Sequence, residues 1–191
     1  LPAEEDYYIT NYDAKGIKIS LEDHHGEDIY YERYETALDD QDRQIQVQTF
    51  DGETGRLISV DETEYDKDGN VAKTIRTYYH NSGNYNITVR DGEGNITSDI
   101  SCYPSGSVQT ANVYNSEGQH IKTTGYYENG QVQTITEYSG TGETLSRKRY
   151  YENGKPQYLH EYDAQGNLVK STSYYENGKV DNLTEYNSQG D

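Results

Sequence analysis

Tryptophan and methionine are absent from this 191-residue chain, phenylalanine occurs once, at Phe50, and cysteine once, at Cys102. A single cysteine excludes an internal disulfide and a cysteine-built metal cluster. No apolar run approaches the length of a membrane span, so membrane insertion is not expected. Positive charge is scarce too: 16 Lys+Arg stand against 34 Asp+Glu, a net charge of -18. An acidic surface repels phosphate, which sets nucleic acid and anionic lipid aside as partners. Hydrophobic residues reach only 31%, and with this charge the composition borders on that of a disordered chain. Tyrosine reverses that reading. It occurs 22 times and, with the β-branched residues, favours strands and supplies large apolar faces.

What the chain has in abundance is regularity. Gly94, Gly106, Gly118, Gly130, Gly142, Gly154, Gly166, Gly178 and Gly190 recur every twelve residues. From Gly118 onward a tyrosine stands four places before each: Tyr114, Tyr126, Tyr138, Tyr150, Tyr162, Tyr174 and Tyr186. One short unit is therefore copied along the chain, and these tyrosines and glycines are expected to be structural. Two turn sequences alternate. Tyr-Tyr-Glu-Asn-Gly runs from Tyr126 to Gly130, Tyr150 to Gly154 and Tyr174 to Gly178; Glu-Tyr-x-x-x-Gly runs from Glu137 to Gly142, Glu161 to Gly166 and Glu185 to Gly190. The full unit is thus twenty-four residues, two strands and two turns.

In Tyr162-Asp163-Ala164-Gln165-Gly166-Asn167-Leu168, Asp opens a type I turn and Gly166 accepts the left-handed residue of a G1 bulge. This predicts Asp163 opposite Asn167 and Tyr162 opposite Leu168, and likewise Tyr126 opposite Val132, Tyr150 opposite Pro156 and Tyr174 opposite Val180. Simple alternation puts Leu168, Lys170, Thr172 and Tyr174, then Val180, Asn182, Thr184 and Tyr186, on one face. The other face takes Ile135, Leu159 and Leu183 with Tyr127, Tyr151 and Tyr175. Both faces are sparsely apolar, so tyrosine area has to be used: the sheet coils tightly, stacks tyrosines two strands apart, or associates with another copy.

The first half is a worn version of the pattern. Tyr12 to Gly16, Tyr65 to Gly69 and Tyr79 to Gly83 keep the spacing; Phe50 to Gly55 stretches it by one; Asp39-Asp40-Gln41-Asp42 makes a turn without glycine. Charge is concentrated there: 9 Lys+Arg against 23 Asp+Glu in residues 1–99, but 7 against 11 in residues 100–191. The expectation is one continuous array over 1–191, divergent in 1–93 and regular in 94–191. The fold class is all-β, an elongated, twisted antiparallel β-meander of Tyr/Gly hairpins, single-layer or coiled, with about fourteen to sixteen strands from the twelve-residue step. Cys102 takes a tyrosine position and reads as its half-buried replacement.

Chemistry is hard to find. His24 and His25 lie beside Asp23, Glu27 and Asp28, but neighbouring strand residues point to opposite faces, so an acidic solvated turn is expected and no metal. His120 and His160 hold packing positions. Asp66-Lys67-Asp68-Gly69-Asn70 resembles the start of a calcium loop, yet its twelfth position is Thr77, where a bidentate Glu is needed. Phosphate-loop, dinucleotide and nucleophile-elbow motifs are missing. Glu137 and Glu161 recur by repetition, which marks them as structural. No enzyme activity and no cofactor is expected.

Tyr-Tyr-Glu-Asn-Gly-Lys, at residues 150–155 and 174–179, resembles the MORN-repeat variant of many bacterial proteins, and Tyr162 to Leu168 resembles the YD repeat of Rhs-type proteins. The resemblance covers residues 100–191 best. It implies an elongated antiparallel meander used for binding or scaffolding in surface or envelope proteins, and carries over no catalytic residue. The same hairpin is similar to cell-wall- and glucan-binding repeats, which rely on Trp; none is present. The expected function is a non-enzymatic scaffold for an unknown protein partner or self-association, the alternative a carbohydrate-binding module, with Tyr127, Tyr151 and Tyr175 as the exposed binding candidates. The expected location is secreted, periplasmic or cell-surface, with a leader or lipoprotein anchor removed before Leu1; an arbitrary boundary in a longer chain fits equally.

Overall fold

The computed structural model describes residues 6–25 and 28–187. Two compact units divide the chain, Leu1–Asn81 and Ser82–Asp191. The first contains β1 (Tyr7–Tyr12), β2 (Lys18–His25), β3 (Asp28–Leu38), β4 (Gln44–Asp51), β5 (Leu57–Tyr65) and β6 (Val71–Tyr79). The second contains β7 (Tyr85–Asp91), β8 (Ile96–Cys102), β9 (Val108–Tyr114), β10 (His120–Tyr126), β11 (Val132–Tyr138), β12 (Thr144–Tyr150), β13 (Pro156–Tyr162), β14 (Leu168–Tyr174) and β15 (Val180–Glu185). Within each unit every strand pairs antiparallel with its neighbours in sequence. The fold is all-β, and the described residues contain strands and turns only.

The turns close as the sequence demands. Gly166 N–H donates to the Asp163 carbonyl at 3.0 Å and Asp163 N–H to the Asn167 carbonyl at 2.9 Å, with Gly166 at φ +81°. This is a type I turn closed by a G1 bulge. Asp163 reinforces it: Oδ1 accepts from Gln165 N–H at 2.9 Å and Asn167 N–H at 2.8 Å. In the Tyr-Tyr-Glu-Asn-Gly turns the acceptor has moved to the asparagine, so Asn153 Oδ1 takes the Lys155 N–H at 3.0 Å. The aromatic pairings follow, with Tyr162 opposite Leu168, Tyr126 opposite Val132, Tyr150 opposite Pro156 and Tyr174 opposite Val180. In the first unit Phe50 to Gly55 is longer by one, Asp51 N–H bonding Arg56 at 2.8 Å, and Asp42 enters the left-handed region itself at φ +58°. Gly190 and the end of its turn lie outside the described residues.

Simple alternation fails at one place, and the failure has a clear cause. Tyr162 pairs with Leu168 but Glu161 pairs with Lys170, so Val169 is an extra residue. A one-residue bulge turns every later side chain to the other face. Leu168 therefore does not share a face with Lys170, Thr172 and Tyr174; in β15 Val180 lies with Leu183 and away from Asn182 and Thr184. One face of the second unit carries the row Ala111, Thr124, Ile135, Lys148, Leu159, Thr172, Leu183. Large aliphatics alternate there with Thr124 and Thr172, which they bury. Beside it runs Lys122, Glu137, Ser146, Glu161, Lys170, Glu185. In that row Ser146 Oγ donates to Glu137 at 2.7 Å, and Lys170 stands 3.8 Å from Glu161 and 3.9 Å from Glu185.

Among the described residues no large side chain is fully buried, as expected where no second layer covers either face. Cys102 is the exception among apolar residues at 2% exposure, a correction to the half-buried site expected of it. It pairs with Tyr85 on one side and Val108 on the other. A thiol shorter than the tyrosine it replaces sinks between those neighbours instead of rising to the surface.

Candidate functional site

The two long edges of the second unit are chemically different, because odd- and even-numbered strands end in different turns. After the even strands come Tyr127, Tyr151 and Tyr175. Tyr127 Oη donates to the Tyr150 carbonyl at 2.8 Å and Tyr151 Oη to the Tyr174 carbonyl at 2.9 Å. Each phenol thus reaches two strands forward to the next turn on its own edge. Asn153 Nδ2 and Lys155 Nζ repeat the gesture, donating to the carbonyls of Glu176 at 3.3 Å and Asn177 at 3.1 Å. Tyr127 and Tyr151 are half-buried by this ladder, whereas Tyr175 is 54% exposed. Its hydroxyl turns to the Asp181 carboxylate, which holds the phenol above its ordinary pKa.

After the odd strands an aromatic stack forms on the opposite face. The His120 ring, opening β10, lies between Tyr114 at 5.3 Å and Tyr138 at 4.6 Å, ring centre to ring centre. Its Nε2 is 3.0 Å from Thr123 Oγ1, which donates to Asn112 Oδ1 at 2.9 Å. Twenty-four residues on, the place of His120 is taken by Thr144. Threonine is too short to bridge Tyr138 and Tyr162, and a groove of about 420 Å³ opens there, lined by both tyrosines with Thr136, Thr144, Glu143, Arg147 and Gly166. One unit further Leu168 stands against Tyr162. The groove lies where the ring that His120 places between Tyr114 and Tyr138 has no counterpart between Tyr138 and Tyr162.

Its polar groups are arranged unevenly. Glu143 accepts from Ser139 Oγ at 2.6 Å and from Thr141 Oγ1, and these hydroxyls hold its carboxyl below the usual range. Arg147 is exposed and pairs across the strands with Thr136 and His160. Burial, and then the Arg147 charge, push the His160 imidazole below its ordinary value. His160 stacks on Tyr158 at 4.6 Å. On the same face Arg149 Nε is buried without a hydrogen-bond partner. The arrangement is amphipathic: two phenol walls, hydroxyls, one carboxylate and one guanidinium. Sequence reading named the tyrosines only as structural and missed the groove. Aligning His120, Thr144 and Leu168 at the twenty-four-residue step would have found it.

The other candidate chemistry is taken up locally. His24 stacks on Tyr7 at 4.2 Å and bonds Glu22 at 2.7 Å. His25 stands 3.3 Å from both Asp6 and Asp23, and hydrogen bonding to Asp6 with the charge of Asp23 raises its pKa. Glu27 and the Asp28 side chain lie outside the described residues. Asp66 Oδ1 accepts from Asp68 and Asn70 N–H at 2.9 Å, the same turn role as Asp163. Glu32 accepts a hydrogen bond from Tyr34, whose phenol is pushed far up by burial and by that carboxylate. Among the described residues no group of three His, Cys, Asp or Glu is placed to hold a metal, and no helix is long and apolar enough to cross a membrane.

Comparison with known proteins agrees with the repeat. The MORN repeat variant matches residues 119–139, a segment from the β9–β10 turn to the end of β11. A protein family of unknown function, DUF2963, matches residues 150–191. No curated protein matches the chain. Among solved structures, the TcdB2-TccC3-Cdc42 complex aligns over 86% of this chain at 14% identity and a TM-score of 0.30. A mutant of S. aureus TarM in complex with Fondaparinux, alpha-GlcNAc-glycerol and UDP aligns over 64% at 11% identity and a TM-score of 0.29. The chain spans 12% of the first and 20% of the second.

Proposed function

We infer that the chain is a non-enzymatic repeat scaffold, a protein-interaction or structural module of a bacterial surface or secreted protein, of the MORN-variant and YD-repeat kind. One observation carries this reading: the recurrent polar groups serve the array itself. Tyr127 and Tyr151 tie turn to turn, Asp163 and its counterparts close turns, and Glu137 and Glu161 bond within a cross-strand row. A reaction needs a constellation once; this chemistry is spent on repetition. The partner is a protein or a second copy, and the acidic surface disfavours nucleic acid. Fractionation of cells expressing the full natural protein tests the location: a purely cytosolic distribution overturns that part.

A second reading, carbohydrate binding, draws on the groove between Tyr138 and Tyr162, where two phenol faces and Arg147 surround an amphipathic gap. A glycan array and purified peptidoglycan separate the two. Saturable binding lost in Arg147→Ala moves the assignment to carbohydrate; absence of binding at high protein concentration leaves the scaffold.

A further inference from the structure

We propose that the groove between Tyr138 and Tyr162 receives an arginine side chain of a basic partner protein, its guanidinium laid on the Tyr162 ring beside the Glu143 carboxylate. This rests on the scaffold reading and gives its protein partner a chemistry. The chain itself carries a filled version of the same arrangement, at the turn between β3 and β4. There the Arg43 guanidinium lies 4.3 Å from the centre of the Tyr65 ring, and Tyr65 ends β5, two strands on from β3. Asp39 pins the guanidinium: Nε donates to Oδ2 at 2.7 Å, and Nη2 stands 2.6 Å from the same oxygen. A Cβ built on Gly69, in the turn after Tyr65, would come 3.5 Å from Arg43 Nη1. Tyrosine face, carboxylate and glycine together make a seat for one guanidinium.

The turn between β11 and β12 is built on the same plan. Asp42 N–H donates to the Asp39 carbonyl at 3.1 Å and Asp39 N–H to the Arg43 carbonyl at 2.9 Å. Gly142 N–H likewise donates to the Ser139 carbonyl at 3.1 Å and Ser139 N–H to the Glu143 carbonyl at 2.8 Å. Glu143 therefore takes the place of Arg43, Tyr162 that of Tyr65, and Gly166 that of Gly69. A Cβ on Gly166 meets nothing within 4 Å, and the groove of about 420 Å³ lies beside it. The seat keeps a carboxylate, now from Glu143. The Ser139 and Thr141 hydroxyls both bond Glu143 Oε2, which leaves Oε1 to an incoming N–H. Thr144, shorter than His120 at the same place one unit earlier, keeps the Tyr138 wall clear.

Charge and shape select the occupant. A net charge of -18 draws basic segments toward the chain. A planar guanidinium stacks on a phenol and forks to a carboxylate at once, which a compact ammonium does not. Arg147 is the opposing charge in the groove lining. It is exposed, and the Glu143 carboxyl is lowered by hydrogen bonds, from Ser139 first and then Thr141, with no share from Arg147. Arg147 is thus not the partner of Glu143, and the place beside that carboxylate stays open to an outside cation.

NMR of the tyrosine ring signals of the 191-residue chain tests this, during titration with a blocked glycine peptide bearing one central arginine. Matched lysine and citrulline peptides are run at equal ionic strength. The arginine peptide should shift the Tyr138 and Tyr162 signals saturably, lysine should bind several-fold more weakly, and citrulline should not saturate. Glu143→Gln should weaken binding about tenfold or more. Arg147→Ala removes the opposing charge and should strengthen binding by up to about fivefold. Thr144→His fills the groove and Glu143→Arg gives the seat a guanidinium of the chain's own; each should abolish binding with an unchanged strand spectrum. Absence of a saturable shift overturns the proposal, as does equal binding of the lysine or citrulline peptide. Binding that survives both filled-groove variants, or that weakens in Arg147→Ala, overturns it too. Such a failure with a silent glycan array leaves the scaffold reading standing without this partner, whereas glycan binding lost in Arg147→Ala overturns the scaffold reading itself.

Discussion

Gly166→Val isolates the backbone contribution of one turn. A Cβ built on Gly166 meets nothing within 4 Å, so the first added carbon is not crowded. What remains is φ +81°, a conformation that costs an L-residue about 1–3 kcal/mol, more for a β-branched one. Stiffening the unfolded chain returns about 0.4–1 kcal/mol. The net loss should be on the order of 1–2 kcal/mol, against roughly 0.5 kcal/mol or less for exposed Gln165→Ala next to it. Gly166→Asn is the sharper control, because asparagine tolerates the left-handed region and should lose far less than valine. Asp42 shows this chain already using such a residue there, at φ +58°. Urea melts followed by circular dichroism give the comparison from midpoints at constant slope. Equal losses for Val and Asn, or for Val and Gln165→Ala, would refute the bulged-turn account.

Three further outcomes are expected. Thr144→His places between Tyr138 and Tyr162 the ring that His120 supplies one unit earlier and should stabilise the chain by about 0.5–1 kcal/mol in the same melts; no gain would mean the groove does not accept a stacked ring. Tyr151→Phe deletes a 2.9 Å bond to the Tyr174 carbonyl and should cost about 0.5–1.5 kcal/mol, whereas Tyr175→Phe removes an exposed hydroxyl that meets the Asp181 carboxylate and should cost less. Acid should destabilise the turns: N–H donors, the backbone of Asn70 and of Asn95 foremost, hold Asp66 and Asp91 below the carboxylate range, as the Asn167 side chain and backbone hold Asp163. Their contribution is present above the ordinary Asp value and is lost as pH falls through the depressed folded value. Asp163→Asn puts at this turn the residue that Asn115 already supplies two periods earlier, and should flatten the pH dependence of stability relative to wild type. His160 acts with the same sign at higher pH, favouring the folded state above the ordinary 6.5 and less so below it.

The turns and their register were readable because they are decided locally. Asp163, Gly166 and the Tyr162–Leu168 pair need only a few consecutive residues to specify them. The faces were misread because a bulge leaves no signature in an alternation count: Val169 looks like any strand residue, yet it reverses Lys170 and everything after it in that strand. The burial of Cys102 depends on Tyr85 and Val108 in other strands. The groove was missed for a different reason. Repetition invites attention to what recurs, and the ring of His120 does not: Thr144 and Leu168 follow it at the twenty-four-residue step. For Tyr127 and Tyr151, spacing gave the position but not the destination of the hydroxyl, which lies twenty-three residues ahead.

That the even and odd turns point to opposite margins of the second unit limits how such a gene segment can grow or shrink. Excising residues 144–167 removes a whole period and returns each phenol to a carbonyl of its own kind. Excising residues 144–155 alone would set the Tyr162 carbonyl where the Tyr150 carbonyl stood, but Asp163 would replace Tyr151 as the next residue on that margin and Tyr175 would pass to the other one. Gain or loss of hairpin pairs should therefore keep the phenol ladder in phase, and gain or loss of a single strand should break it.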